Sequence, residues 1–105
     1  MNDFLDLKGA SGARYRFRHW PEGAAQMPAA GNYAYVRQER SGPAVVWVGE
    51  TNDLSKARSD WPEGVRQGAT HVFTRLNVAR AVRIAEHEDL AAHYTPAQAA
   101  PAQDQ

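Results

Sequence analysis

Arg14, Arg16 and Arg18 alternate with Tyr15, Phe17 and His19. On an extended segment that spacing sends three guanidinium groups to one side, where they suit a polyanion or simply form a solvated strand face. Between Arg37 and Arg83 lie eight basic residues against five acidic ones, which gives a weakly basic central stretch. Glu86-His87-Glu88 gathers two carboxylates and an imidazole, and it reads equally as one exposed polar turn of a helix. His19, His71 and His93 have no metal-ligand spacing and receive no role. The chain has no glycine-rich phosphate loop and no nucleophilic triad.

These side chains must be positioned by a small scaffold. The 105 residues suffice for one domain, with 43% hydrophobic and 23% charged residues, values near the globular average. Lys+Arg and Asp+Glu both number 12, and a net charge of zero argues against strong nonspecific attraction to nucleic acid. No apolar run reaches the roughly 18 residues of a membrane span. The acidic start, Met1-Asn2-Asp3-Phe4-Leu5-Asp6, lacks the apolar stretch of a signal peptide. With no cysteine there is no disulfide framework or thiolate metal site. A cytoplasmic location without membrane contact is expected.

Hydrophobic periodicity orders the elements. Residues 4–7 and 13–19, joined by Gly9-Ala10-Ser11-Gly12, predict a hairpin. A loop over 20–30 leads to a strand at 32–37. The continuous run Ala44-Val45-Val46-Trp47-Val48 predicts a central strand buried on both faces. Thr51, Asn52 and Asp53 are all suitable caps for a short helix over 53–60, which Trp61-Pro62 is expected to stop. Residues 69–76 form another strand. Asn77 is the expected N-cap of a helix over 78–94 with one stripe at 83, 86, 87, 90 and 94 and an apolar stripe at Val78, Val82 and Ala85. Residues 97–105 read as a disordered tail. The fold expected is α+β, a small mixed sheet flanked by two helices and prefaced by an N-terminal hairpin.

Residues 31–96 resemble the GIY-YIG nuclease superfamily, after a preface over 1–30. Gly31-Asn32-Tyr33 stands at the Gly-x-Tyr of its first strand, and Trp47-Val48-Gly49 at the Tyr-Ile-Gly of its second. Gly49-Glu50-Thr51-Asn52-Asp53-Leu54 looks like the loop and helix start of small bacterial members. Gly68-Ala69-Thr70-His71-Val72 is similar to their third strand, and Arg83, Asp89-Leu90, Tyr94 and Pro96 to their closing helix.

The resemblance implies Mg²⁺-dependent hydrolysis of DNA phosphodiesters. Carried over residue by residue, it makes Tyr33 the water-orienting group, and it leaves Arg58 and Glu86 as the neighbouring substitutes for the phosphate-stabilising arginine and the metal-ligating glutamate. The family pattern is only partly kept. Trp47 takes the second tyrosine position, and an indole N–H only donates. The arginine position falls on Ala57, between Lys56 and Arg58. The glutamate position falls on His87, whose neutral imidazole is a poor Mg²⁺ ligand. The asparagine expected after the proline is Ala99. Arg37, Lys56 and Arg83 are the implied nucleic-acid contacts. The alternative is the same fold without chemistry, a nucleic-acid-binding or protein-interaction module, with self-association through the hairpin edge as a further option.

Overall fold

The computed structural model describes residues 3–102, with side chains as far as 94. Strands β1 (Phe4–Lys8) and β2 (Arg14–His19) form the N-terminal hairpin. Strands β3 (Gly31–Glu39) and β4 (Gly42–Thr51) form a longer one, with a register shift between Tyr35 and Val36. Strand β5 (His71–Leu76) enters between the two hairpins, so the order is β1-β2-β5-β3-β4. The protein is α+β, as its periodicity predicts. The sheet anticipated as mixed is antiparallel at every pairing among the described residues. The predicted central strand, β4, lies at an edge, and β3 and β5 are central. The apolar run of β4 is explained by layers on both faces: Val46 packs on one side and Val48 on the other.

Alternation in β3 divides the interior into two cores. Tyr33 and Tyr35 face a core with Trp20, Val46, Leu54, Ala57, Ala69 and Val72, closed by Trp47 and Trp61. Ala34 and Val36 face the other, with Leu7, Phe17, Val48, Phe73 and Leu90. Leu90 belongs to helix α2 (Arg80–Ala102), which covers this second face. Each fully buried Phe or Leu contributes about 1.5–3 kcal/mol. The α2 stripe at 83, 86, 87, 90 and 94 points inward, with Arg83 5% and Leu90 1% exposed. The neighbouring stripe is left in solvent, with Val78 63% and Val82 48% exposed.

Three local expectations change. Asp53 does cap, accepting from the Ser55 amide, but the turn it opens is a 3-10 segment of three residues, Leu54–Lys56. Trp61-Pro62 starts helix α1 (Trp61–Arg66) rather than stopping one, because the first turn needs no proline N–H. Asn77 does not cap α2. Its amide donates to Asn32 Oδ1 and Glu86 Oε1, both at 2.8 Å, and the helix starts at Arg80. Helix α2 also runs into the segment read as a disordered tail, reaching Ala102; Ala and Gln there are strong helix formers. Residues 103–105 of that segment lie outside the described residues. Among the described residues no helix is long and apolar enough to cross a membrane.

The first hairpin is locked onto α2 by Asp89. Ser11 donates its amide (2.8 Å) and hydroxyl (2.6 Å) to the Asp89 carboxylate, and the Tyr15 hydroxyl donates at 2.7 Å. Gly9 allows the approach, since a Cβ there would strike that carboxylate. The Ser11 hydroxyl, then Tyr15 and the Ser11 amide, hold the Asp89 carboxyl below its ordinary 3.8. A carboxyl depressed in the folded state adds stability that is present above its unfolded value and is lost as pH falls through its folded value. Hydrogen-exchange protection of the Ser11 amide, corrected for intrinsic rates, is therefore expected to fall as pH drops below 3.8. Asp89→Asn should remove that dependence. An identical acid profile in the variant would show that another group releases the hairpin.

Candidate functional site

Tyr33 sits over Gly49, its cross-strand partner, where a Cβ would stand 2.5 Å from the tyrosine hydroxyl. Trp47, two residues earlier on β4, points to the same face, and Tyr35 lies between Tyr33 (ring centroids 5.5 Å) and Trp47 (6.1 Å). Tyr35 donates to the Ala57 carbonyl at 2.6 Å, and Trp61 meets its ring edge-on. The Tyr33 hydroxyl reaches Asp60 Oδ2 at 3.5 Å. Burial, and then the Asp60 charge, push the Tyr33 hydroxyl above its ordinary value, so at neutral pH it is a donor and not a base. Arg58 turns toward the loop after β2. It donates to the Trp20 carbonyl at 2.6 Å and lies 4.0 Å over the Trp20 ring. Ala57, at the family's arginine position, is buried.

Asn32 precedes Tyr33 on β3, so its side chain points to the opposite face. There it is fully buried, donating to the Arg83 carbonyl at 3.1 Å and accepting from Asn77. Asn77 also holds Glu86 Oε1, which accepts from Arg75 Nε at 2.9 Å. Arg83 completes the network through Glu50 Oε1 (2.9 Å) and the carbonyls of Asn77 (3.3 Å) and Val78 (3.0 Å). His87 shares the inward stripe of α2, and its Nδ1 is buried without a hydrogen bond among the described residues.

Tyr33, Trp47 and Arg58 thus occupy one side of the sheet, and Glu86 and His87 the other. The three groups expected to surround a phosphate do not converge. Nor do the donors fit a resident Mg²⁺ at Glu86. One oxygen of its carboxylate is held by a guanidinium and an amide, and among the described residues no three His, Cys, Asp or Glu side chains come together as metal ligands. Mg²⁺ takes carboxylate oxygens that are free to coordinate. Arg83, an expected nucleic-acid contact, is buried by its place on the inward stripe and neutralised by Glu50. Arg37 pairs with Glu39 at 2.6 Å, and Lys56 is exposed.

Four accessible cations are clustered on the N-terminal hairpin. Phe4, Asp6 and Lys8 stand opposite Arg18, Arg16 and Arg14, so all six share a face, and all six are exposed. Asp6 is the one carboxylate among four cations, and its bond to Arg16 (3.1 Å) joins two exposed side chains, a pairing worth about 0–1 kcal/mol. Arg16 and Arg18 lie 5.4 and 6.0 Å from the half-exposed Phe4 ring. Through the pairs Arg18–Thr74 and Thr74–Tyr33 this face runs on to Tyr33.

The fold also assembles a group that the sequence did not signal. His19 at the end of β2 and His71 at the start of β5 have ring centroids 5.2 Å apart, and both line a recess with Arg58, Trp20, Trp61 and Glu22. Their separation in the chain carries no ligand period; only the β2–β5 pairing joins them. No family model, curated protein or solved structure matches the chain.

Proposed function

We propose that this chain is a cytoplasmic nucleic-acid-binding module of GIY-YIG-like build that does not cleave phosphodiesters. The carrying observation is the uncovered hairpin face, where Lys8, Arg14, Arg16 and Arg18 share a surface with one carboxylate and with Phe4, whose ring Arg16 and Arg18 approach. A flat strand surface with spaced cations and an exposed ring suits a single strand, whose phosphates meet the guanidinium groups while a base stacks on Phe4. The GIY-YIG-like build is supported by Gly31-Asn32-Tyr33 and Trp47-Val48-Gly49 lying on paired strands, with Tyr33 seated on Gly49. The reading without cleavage is supported by the sheet that stands between Tyr33 and Glu86.

The test is fluorescence anisotropy with single-stranded DNA and RNA at two salt concentrations. Four phosphate contacts on a single strand correspond to a slope of log K against log salt of about −3. Replacing Arg14, Arg16 and Arg18 together by Gln should flatten that slope to about −1 and weaken binding at least about tenfold at low salt. No binding at low salt sinks this reading and points to a protein partner or to self-association. A parallel nicking assay with Mg²⁺ or Mn²⁺ is expected to show no cleavage. Nicking that disappears in Glu86→Gln would restore the hydrolase.

A further inference from the structure

The recess beside His19 and His71 has a volume of about 90 Å³ and joins three separate segments: the end of β2, the turn before α1 and the start of β5. A second recess of about 260 Å³, lined by Arg18, Gln26 and Thr74, shares His19 and Trp20 with it. Arg18 also belongs to the basic hairpin face, so that face leads into the smaller recess.

The donors there suit an oxyanion. Arg58 uses Nη2 on the Trp20 carbonyl and is held flat by the Trp20 ring, which fixes the direction of its remaining N–H groups. His71 Nδ1 lies 2.7 Å from Thr70 Oγ1, whose own proton goes to the Val36 carbonyl. Thr70 Oγ1, which also accepts from the Gln38 amide at 2.9 Å, thus fixes the orientation of the His71 ring in the recess. His19 is half-buried and adjoins that ring. Burial, and then His71, lower its affinity for a proton, while Asp3 raises it and Arg58 opposes it. Glu22 is the carboxylate at the rim.

We infer that this recess binds a phosphate monoester, with Arg58 as the fixed cation and the ring N–H groups of His19 and His71 as donors. The group comes either from free phosphate or from the terminal phosphate of a strand lying on the hairpin face; the second source rests on the nucleic-acid reading above. A recess this small receives a group at a chain end, whereas an internal diester must leave in two directions.

The experiment compares three probes on the whole chain: a short single-stranded oligonucleotide with a terminal phosphate, its hydroxyl-ended twin, and inorganic phosphate. The phosphorylated oligonucleotide is expected to bind about tenfold more tightly than its twin, the effect of one or two charge-assisted hydrogen bonds. That preference should vanish in His71→Gln and in Arg58→Gln, with hydroxyl-ended binding unchanged. Inorganic phosphate should shift the His19 and His71 ring resonances in NMR. Ring shifts with no preference between the twins would assign the site to free phosphate. Ring shifts with neither oligonucleotide bound would keep the site and remove the nucleic-acid reading. Unmoved ring resonances together with equal binding of the twins would overturn the inference, and unaltered thermal melting of both variants excludes misfolding as the cause of any loss.

Discussion

Arg83→Met is expected to destabilise the protein by about 3 kcal/mol, the range found when one partner of a buried ion pair is removed. The residue is 5% exposed, and its side chain serves three acceptors: Glu50 Oε1 and the carbonyls of Asn77 and Val78. Methionine fills most of the volume and supplies none of the donors. The two carbonyls then lie at the start of α2 without a partner, and Glu50, whose side chain is 32% exposed, keeps a charge with only partial access to water. That access sets the figure at the lower end of the range. For a domain near 100 residues the loss corresponds to a fall in Tm of more than about 10 °C. Urea unfolding measures it directly. Glu50→Gln should lessen the effect of Arg83→Met, because the uncompensated charge is gone. A loss below about 1 kcal/mol in Arg83→Met would mean that water replaces the guanidinium and that the network is peripheral.

Gly31→Ala should cost a similar amount for a steric reason. A Cβ on Gly31 would strike the Arg75 carbonyl oxygen and stand 2.7 Å from Leu54 Cδ1. Leu54 can turn, but Arg75 is backbone in the neighbouring strand, and β3 is held by β4 on its other side. Overpacking of this kind costs about 1–3 kcal/mol, and the upper end applies where backbone must move. Gly12→Ala is the control. Gly12 has φ +93 with open space around its Cβ, so its cost, about 1 kcal/mol, is conformational. If the two variants lose equal stability, contact with β5 is not what Gly31 is needed for. If Leu54→Ala restores Gly31→Ala fully, the obstacle is the leucine and not the strand.

Both expectations concern residues that the family resemblance had placed in motifs, and each has a packing reason in this chain. Gly31 admits β5, Gly49 admits Tyr33, and Arg83 ties the end of β4 to the start of α2. The nuclease residues fare differently. Tyr33 and Glu86 are close to cores on opposite sides of one sheet, and Glu86 already accepts from Arg75 and Asn77.

The sequence by itself determined the elements and the faces within them. Alternation over Arg14–His19 marked a strand with its cations on one side, and the shared stripe of α2 at 83, 86, 87, 90 and 94 was legible from residues three and four apart. These are properties of one segment and its period, so neighbours in the chain suffice to read them. Tertiary structure decided the rest. The insertion of β5 between β2 and β3 made β4 an edge, joined His19 to His71 and put the hairpin cations on the face of Tyr33. Alternation required Asn32 and Tyr33 to diverge, but it could not say which of them α2 would cover. That choice depends on how the chain crosses from β5 to α2, and it is why the carboxylate and the tyrosine ended on opposite sides.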